Sequence, residues 1–473
     1  MEDTIGSIPI TGVATSCLHI SSIGPEYINL FGTIYPTAYN SVALAQIYKC
    51  PPPPTKKTSI AIVSFGGGLY GTIDSNGILT NGDCQAYWAW QGIASSNFPT
   101  VQVKFLNGAT NTLSNAATDE NTLDVEMIGS WYPSSNLTIC LYITRLNTYQ
   151  NIFDIFTQAC TSTINVKGTN VLPSAVSVSW NYPELPAYTD LGMPAYLQLD
   201  TIFSNAAANG VNVCVAAGDH VATDGYSNLT LNWFSSSQWC ISCGGTSLSS
   251  TNNIYDSNTV EIVWNNSNVP AYSTWGTGGG ISPYYPKGSY QSVVTQYINT
   301  SNRCAPDIAL SADTVRDNSV VTYQNGGYYF TGGTSVVAPC MSAFIAALNI
   351  TYFFNNKSYK LNSNCFHDIT VGNNRPLAYP SLGYDARVGY DLCTGLGSIM
   401  GTNISTAMNT YIPSSNLGVK SILSNYGYFS TDNVPFYSTL SNTKWYDSSG
   451  NLTTPPAPPN VPFSFFQNKM CRF

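Results

Sequence analysis

The sequence predicts an α/β fold built on a mostly parallel sheet. Short apolar runs of β type alternate with longer stretches of helical patterning, and glycine-rich turns follow several of the runs. Alternation of this kind is typical of βαβ units, which place helices against a parallel sheet. Because ligands bind beyond the carboxyl ends of parallel strands, we expect functional residues in the turns that follow the strands.

The predicted strands are continuous apolar runs, as expected for strands buried on both faces of a parallel sheet. The first is SIAIVSFGGG, which begins at Ser59, and the others cover residues 100–105, 137–143, 175–180, 211–217 and 238–242. Helical stretches lie at residues 119–131, 149–161, 193–209 and 335–350. Strands and helices therefore alternate over most of the chain.

The composition divides the chain into three regions. We expect an irregular lead-in at residues 1–35, a main α/β domain at residues 36–412, and an extended C-terminal arm at residues 413–473 that is rich in Tyr, Ser and Pro. Such an arm is a candidate docking segment for an assembly partner. The start MEDTIGSIPI has neither a basic nor an apolar signal region, and no run of about 18 apolar residues predicts a membrane span. An acidic compartment, an extracellular location and a particle all stay open.

Charge is scarce in this chain, and this excludes several classes of function. The 473 residues carry 17 Lys+Arg and 25 Asp+Glu, so that only 9% are charged and the formal net charge is −8. Nucleic-acid binding needs a basic stripe, which this composition does not supply. Disorder is also excluded, because 43% of the residues are hydrophobic. The three histidines, His19, His220 and His367, leave few candidates for histidine-dependent catalysis.

The thirteen cysteines do not form a closed disulfide framework, because their number is odd. We expect mostly free, buried thiols, since free cysteine packs as a small apolar residue. Cys240 and Cys243 lie on a predicted strand, where alternation puts the two thiols on opposite faces. They are therefore expected to pack rather than to form a redox pair.

The most informative stretch is TGGTSVVAPCMSAFIAALN, in which a glycine pair leads into Thr334 and Ser335 at the start of an apolar helix. A serine in the first turn lies at the positive end of the helix dipole, beside unpaired backbone N–H groups, which suits an oxygen nucleophile. A serine that only caps a core helix is the alternative, and this stretch by itself leaves both open.

Acidic residues supply candidate partners for the serine. Glu120 and Asp124 stand four residues apart on a predicted helix opened by Thr118, so both point from one face, whereas Glu126 belongs to another face. Two neighbouring carboxyl groups share a proton and can accept one from a serine at acid pH. A solvated acidic helix face is the alternative. Asp219 follows a buried strand and a glycine, where it is either a turn residue or, if protonated, a hydrogen-bond donor to an oxyanion.

The pattern G-T-S-x-x-x-P occurs in two peptidase families, the subtilases and the sedolisins. The histidine and aspartate motifs of a subtilase, H-G-T and D-[ST]-G, are absent before the serine, which argues against a Ser-His-Asp triad. The chain resembles the sedolisin (serine-carboxyl peptidase) family over residues 35–410. The resemblance rests on the following blocks in the family's order: YNSVALAQIYKCP, IAIVSFGGGLYG, ENTLDVE, VSVSWNYPE, AAGDHVATDG, CGGTSL, EIVWNNS, WGTGGGISPYYP, RCAPDIALSAD, GGTSVVAP, FHDITVGNN and GYDLCTGLGS.

This resemblance implies a subtilisin-like, doubly wound α/β domain with a peptidase site, and polypeptides as substrates. Ser335 would be the acylated nucleophile, Glu120 the general base and then acid, Asp124 the residue that tunes Glu120, and Asp219 the protonated oxyanion donor. The segment Ser179, Trp180 and Asn181 would pair with the substrate backbone, although Asn181 stands where the family often has glycine.

The resemblance also implies one Ca²⁺ ion. Its ligands would be Asp368, Ile369, Arg387, Gly389 and Asp391, of which the middle three contribute backbone carbonyl groups. Carboxylate and carbonyl oxygens suit this hard cation. Arg387 replaces a family glycine, and a plain pair of loop acids is the alternative.

Two departures from the family leave other functions open. Most members carry an N-terminal prodomain, whereas here the family blocks begin near residue 35, and the C-terminal arm has no family counterpart. The leading hypothesis is an acid-active serine-carboxyl peptidase. A sedolisin-like structural or particle component with little or no activity is the main alternative, and a calcium-dependent binding module is a third.

Overall fold

The computed structural model describes residues 39–113, 115–145, 148–250, 253–268, 275–314 and 318–409, together with three short C-terminal strands. The expected lead-in at residues 1–35 lies outside the described residues. The expected arm at residues 413–473 lies outside them as well, except for those three strands.

The structure contains the following strands: β1 (Thr58–Ser64), β2 (Gly71–Ile73), β3 (Leu79–Gly82), β4 (Thr100–Leu106), β5 (Leu137–Thr144), β6 (Ile164–Val166), β7 (Thr169–Val171), β8 (Ala175–Val178), β9 (Trp180–Asn181), β10 (Asn212–Ala216), β11 (Cys240–Ser249), β12 (Val260–Val263), β13 (Gly280–Pro286), β14 (Asn302–Ala305), β15 (Ile308–Ser311), β16 (Val320–Gln324), β17 (Gly327–Thr331), β18 (Phe366–His367), β19 (Ser398–Ile399), β20 (Trp445–Tyr446), β21 (Leu452–Thr453) and β22 (Cys471–Arg472). Its α-helices are α1 (Ser41–Ile47), α2 (Asp83–Trp90), α3 (Asn115–Trp131), α4 (Gln150–Thr161), α5 (Glu184–Ala208), α6 (Trp233–Ser236), α7 (Thr334–Leu348), α8 (Asn355–Ser358) and α9 (Gly401–Asn409).

An eight-stranded sheet forms the centre of the molecule. Seven strands follow the order β12–β11–β10–β8–β1–β5–β4, and β15 joins by pairing with β11. All of these pairings are parallel except that of β11 with β12. Every residue of β1 is buried, which explains why this strand is a continuous apolar run. The predicted α/β class and the mostly parallel sheet are confirmed.

Each face of the sheet has its own hydrophobic core. In β1, Ile60 and Ile62 belong to the core that contains apolar side chains of α3 and α7, whereas Ala61 and Val63 belong to the core that contains those of α4 and α5. Alternate residues of a strand point to opposite faces, so one strand serves both cores. The helices therefore flank the sheet on both sides.

One helix begins earlier than the sequence predicts. Helix α3 begins at Asn115, so Thr118 lies inside it rather than opening it. Helix α5 consists of two helical segments separated by a kink at Gly192, where φ is 72° and the backbone is not helical. The second segment begins after this kink, as the helix predicted at residues 193–209 requires, because glycine and proline usually end helices. The first segment, from Glu184, is missing from the prediction.

The described cysteines are free and mostly buried, as the sequence predicts. Eleven described cysteines are free, and ten of them are buried. Cys240 and Cys243 contribute to the cores on opposite faces of the sheet, as predicted. Among the described residues, none of the helices has the length and apolar character needed to cross a membrane.

Candidate active site

The start of α7 places Ser335 at the centre of the candidate site. Ser335 is the second residue of this helix, and its side chain is buried. Gly333 precedes the helix with φ at 101°, and a Cβ at this position would collide with Oδ2 of Asp219. Only glycine fits both the backbone conformation and the space. Ser335 therefore lies at a helix N-terminus, where backbone N–H groups and the dipole stabilise a negative oxygen.

Asp219 connects the end of a sheet strand to this helix. It lies in the turn after β10, and its Oδ1 accepts hydrogen bonds from the backbone N–H of Thr334 at 2.7 Å and from the Thr334 hydroxyl at 2.8 Å. Its Oδ2 has no hydrogen-bond partner among the described residues. Burial raises the pKa of Asp219 to about 7; the two bonds from Thr334 oppose this shift and the charge of Asp224 adds to it. At acid pH, Asp219 is therefore a neutral carboxyl group beside the start of α7.

Asp124 is linked to Ser335 through Ser179. The Ser179 hydroxyl donates to Oδ1 of Asp124 at 2.7 Å and lies 3.4 Å from the backbone oxygen of Ser335. Burial raises the pKa of Asp124 to about 8, and the bond from Ser179 lowers it only in part. Asp124 is therefore also neutral at acid pH.

Glu120 lies one helical turn before Asp124 on α3, and α3 packs directly against α7. The side chains of Glu120, Asp124 and Glu126 are 6%, 0% and 0% exposed, which rules out a solvated acidic face. Glu126 points elsewhere, because its carboxyl group accepts from the backbone N–H of Tyr323 on β16 at 3.1 Å. The predicted separation of Glu126 from the other two acids thus agrees with its contacts.

The glycine run after β1 anchors the helix that carries these acids. The amide group of Asn121 donates to the carbonyl oxygens of Gly66 and Gly68 at 3.1 and 3.0 Å, and Gly68 N–H donates to the Thr118 hydroxyl at 3.2 Å. A Cβ at Gly67 would lie 2.7 Å from the backbone of Ala117. The run therefore permits close approach of α3 to the sheet edge, and the Thr118 hydroxyl joins the helix to this run rather than capping the helix.

The segment Ser179, Trp180 and Asn181 runs from the end of β8 through β9. Asn232 holds it against the sheet, because its amide nitrogen donates to the carbonyl oxygens of Trp180 at 3.1 Å and Ala216 at 2.8 Å. The Asn181 amide nitrogen donates to Oδ2 of Asp224 at 2.6 Å. The asparagine that replaces a family glycine is thus accommodated by a buried carboxyl group.

Three residues of this site are missing from the sequence-based prediction: Thr334, Asp224 and Asn232. Thr334 directly precedes Ser335. Its hydroxyl is recognised as part of the site only when Asp219 is known to lie opposite it. The scarcity of acidic residues in this chain was the one feature of the sequence that could have indicated a role for Asp224. Nothing in the sequence marks Asn232.

The histidines lie in other surroundings. His367 is part of β18, which pairs with β19 outside the central sheet, and its ring stacks on Tyr255 with centroids 3.4 Å apart. His220 directly follows Asp219 and packs against Trp275, with ring centroids 5.4 Å apart. His19 lies outside the described residues.

The residues of the expected calcium site gather around one loop. Gly389 N–H donates to Oδ2 of Asp368 at 2.9 Å, and Arg387 N–H donates to Oδ2 of Asp391 at 3.2 Å. Asp391 is buried, Asp368 is exposed, and Ile369 follows Asp368. In the parts of the chain that the structure describes, no cluster of three or more His, Cys, Asp or Glu side chains is positioned to hold a metal ion.

Several buried carboxyl groups lead us to predict a stability that falls as pH rises. Burial raises the pKa of Asp124 and Glu184 to about 8 and of Asp200, Asp219 and Asp224 to about 7. In the unfolded chain, such groups titrate near pH 4. Between about pH 4 and 8 the folded state therefore binds more protons than the unfolded state, and the free energy of unfolding decreases with pH.

Differential scanning calorimetry should show a melting temperature at least about 5 °C higher at pH 4 than at pH 8. Asp200→Asn should reduce this dependence, because the asparagine can still accept from Ser237 but does not titrate. Asp256→Asn, at an exposed turn, is the matched control and should leave the dependence unchanged. A melting temperature that rises from pH 4 to pH 8 would contradict the prediction.

No family model matches the chain, but individual proteins do. It is 32% identical over 390 residues to kumamolisin from Bacillus sp. (strain MN-32), a match that covers 79% of this chain and 64% of kumamolisin. It is 28% identical over 399 residues to sedolisin from Pseudomonas sp. (strain 101), covering 80% of this chain and 62% of that protein. The chain thus spans less than two thirds of the length of these curated relatives.

The fold is similar to that of a solved member. Pseudomonas sedolisin, a serine-carboxyl proteinase solved with two molecules of pseudo-iodotyrostatin, superposes with a TM-score of 0.65 at 26% identity. This match covers 79% of this chain and 98% of the sedolisin chain. Since relatives in sequence and in structure each match 79–80% of the chain, the protein belongs to the sedolisin family.

Proposed function

We propose that this protein is an acid-active serine-carboxyl peptidase that cleaves polypeptides through an acyl-enzyme on Ser335. The observation that carries the proposal is the convergence of two neutral carboxyl groups on the start of α7. Asp219 bonds to Thr334, and Asp124 reaches the Ser335 backbone through Ser179. The family's peptidases support the same reaction class.

In the first half of the proposed reaction, Oγ of Ser335 attacks the carbonyl carbon of the scissile peptide bond. Its proton passes to the carboxylate of Glu120, which acts as general base. Glu120 then gives this proton to the leaving amine as the C–N bond breaks, leaving an ester on Ser335. In the second half, a water molecule attacks the ester carbonyl carbon and gives a proton to Glu120. Glu120 passes this proton to Oγ of Ser335 as the ester C–O bond breaks, which releases the acid product and restores the serine hydroxyl.

Two neutral carboxyl groups support these steps. The tetrahedral intermediate carries a negative oxygen, to which Asp219 in its protonated form and the Ser335 N–H donate hydrogen bonds. Asp124, with a pKa raised by burial to about 8, is protonated at acid pH and can donate to Glu120. Such a bond favours the ionised form of Glu120, which is the form that accepts the serine proton.

The substrate would lie as an extended strand along Ser179, Trp180 and Asn181. Strand β9 accepts an extended strand at one edge, where Cys471–Arg472 pairs antiparallel with Trp180–Asn181, and a substrate strand would take the place of that segment. Main-chain pairing at such an edge binds polypeptides with little regard for their side chains.

The pH profile of cleavage tests the proposal. We expect the full-length protein to cleave a denatured protein substrate at pH 3–5 and to lose activity as pH rises through about 7, because Asp219 then loses the proton it donates. Asp219→Ala should lower kcat by about 10²–10³-fold. Asp219→Asn keeps an N–H donor at every pH, so its remaining activity should decline less steeply on the alkaline side.

Asp200→Asn serves as the control, because this buried acid lies on α5, on the opposite face of the sheet from α3 and α7. Activity that is equal at pH 4 and pH 8 would refute the acid mechanism. No turnover anywhere from pH 2 to 8 would favour the alternative of a sedolisin-like structural component.

We also propose that Asp368 and Asp391 bind one Ca²⁺ ion with the backbone carbonyl groups of Ile369, Arg387 and Gly389. The donor set fits, because two carboxylates and three carbonyl groups supply hard oxygen ligands. The loop at 387–389 already contacts both carboxylates through its N–H groups. Bound calcium would hold this loop and the Asp368 segment together.

Calcium should raise the melting temperature at pH 5 by about 3 °C or more relative to a chelator. Asp368→Ala should abolish this increase. Since Asp368 is exposed, the same variant should melt close to the wild type when the chelator is present. An unchanged melting temperature on adding calcium would remove the site.

A further inference from the structure

Asn181 and Asp224 form a buried polar pair beside the candidate active site. Their side chains are 0% and 6% exposed, and the Asn181 amide nitrogen donates to Oδ2 of Asp224 at 2.6 Å. Asp224 ends the short 3₁₀ turn Val221–Thr223 in a left-handed conformation, with φ at 48°. None of the steps of the proposed reaction uses this pair.

The pair has two unused acceptor atoms. Oδ1 of Asn181 and Oδ1 of Asp224 have no hydrogen-bond partner among the described residues. A buried acceptor without a donor costs stability, and native proteins rarely keep one without a reason. Two such atoms, on side chains that are hydrogen-bonded to each other, therefore point to a ligand that donates hydrogen bonds.

Asp224 also has no ion-pair partner among the residues that the structure describes. The two ion pairs found in the described ranges, Arg303–Asp307 and Arg375–Asp385, lie elsewhere. Burial raises the pKa of Asp224 to about 7, as expected for a carboxyl group without a nearby positive charge. A bound cation would favour the ionised form of Asp224. It would also supply the positive charge that, among the described residues, no ion pair provides to Asp224.

The pair borders the place where the scissile bond would lie. Asn181 belongs to β9, two residues after Ser179, whose hydroxyl contacts Asp124 and the Ser335 backbone. On the other side, Asp224 is close enough to Asp219 to influence it electrostatically. A substrate strand along β9 would thus carry its side chains past these acceptors.

We propose that Asn181 and Asp224 form a specificity subsite that binds a basic side chain, lysine or arginine, of the polypeptide substrate. This inference rests on the proposed peptidase function. Lysine and arginine carry several donors and no acceptor, so they complement two acceptors of which one is a carboxylate oxygen. An apolar side chain would leave both acceptors unpaired, and an acidic one would be repelled.

A positional scan tests the subsite at pH 5. One peptide is made with lysine, norleucine or glutamate placed in turn at each of three positions on either side of the cleaved bond. For the full-length wild type, we expect one position at which lysine exceeds norleucine by about tenfold or more in kcat/KM. Glutamate at that position should be the poorest substrate.

Asp224→Asn should bring lysine and norleucine to within about twofold of each other at that position, since it keeps an acceptor for Asn181 but cannot ionise when a cation binds. Asp256→Asn changes the net charge equally at an exposed turn and should leave the preference intact. The wild-type comparison does not depend on how well either variant folds. Equal rates for lysine and norleucine at all six positions would overturn the inference, as would a preference that survives in a folded Asp224→Asn protein.

Failure of the inference is distinguishable from failure of the proposed function. Cleavage without a basic preference refutes the subsite alone. If the protein cleaves no peptide at all, the proposed function fails, and fluorescence anisotropy with labelled lysine and norleucine peptides still tests the subsite. Equal affinities in that assay would overturn it, whereas tighter binding of the lysine peptide that Asp224→Asn removes would support it.

Discussion

Replacing Ser335 with alanine should lower kcat by at least about 10⁴-fold at pH 4 without unfolding the protein. The side chain supplies the only bond between enzyme and substrate in the proposed acyl-enzyme, so no neighbouring group can replace it. Alanine also favours the helical conformation of α7, and the backbone oxygen that lies near Ser179 is unchanged. Cleavage of a peptide with a fluorescent reporter measures the loss. Mass spectrometry of acid-quenched reactions should find the acyl adduct on the wild type alone.

Ser342→Ala is the matched control for this variant. Ser342 lies on the same helix and is equally buried, but its hydroxyl donates to the Ala338 carbonyl oxygen within the helix at 2.9 Å. Its replacement should leave kcat within about twofold of the wild type. If Ser335→Ala and the wild type cleaved at the same rate, a nucleophile other than Ser335 would have to be sought.

Replacing Glu120 with glutamine should lower kcat/KM by about 10³-fold between pH 3 and 5. Glutamine has the same shape and retains an acceptor oxygen, but it cannot take the proton of Ser335 or return it to the leaving amine. Because both acylation and deacylation use this carboxylate, the substitution should slow both halves of the reaction. Single-turnover measurements should therefore show slow acylation as well as slow steady-state turnover.

Glu126→Gln separates this effect from a general disturbance of α3. Glu126 lies six residues further along the same helix and is equally inaccessible, but it accepts from the backbone of β16. Burial raises its pKa well above the ordinary value, so it is already neutral at acid pH and glutamine imitates that state. We expect a change of less than about threefold in kcat/KM. A loss in Glu126→Gln as large as that in Glu120→Gln would point to a folding effect rather than to base catalysis.

The sheet and its helices were predictable because their residues carry a strong local signal. The strands at 58–64 and 137–144 are buried at every position and consist mostly of apolar residues, as expected for buried parallel strands. Helix α7 is similarly apolar on all sides, because it packs between the sheet and its neighbours. The start of the helical segment at residue 193 was also predictable, because Gly192 and Pro194 favour a helix boundary and the backbone at Gly192 is not helical. The segment of α5 before this kink was missed.

The site was predictable only in part, because its contacts join distant segments. Glu120 and Asp124 share a helix face, which spacing alone indicates. The bond of Asp219 to Thr334 joins residues 115 positions apart, and that of Asn181 to Asp224 joins residues 43 positions apart. No periodicity encodes such pairs. The resemblance to a family supplied the roles proposed for Ser335 and Asp219, whereas Asp224 emerged only from the geometry.

The two cores described for the central sheet differ in what they support. The face that packs against α3 and α7 carries Glu120, Asp124 and Ser335, whereas the face that packs against α4 and α5 carries none of the proposed catalytic residues. An engineer could therefore redesign the α4 and α5 layer for thermal tolerance, provided that Trp180 of the proposed substrate segment, which packs in this core, is kept. Diversity aimed at new chemistry would belong on the opposite layer, where each substitution risks the reaction itself.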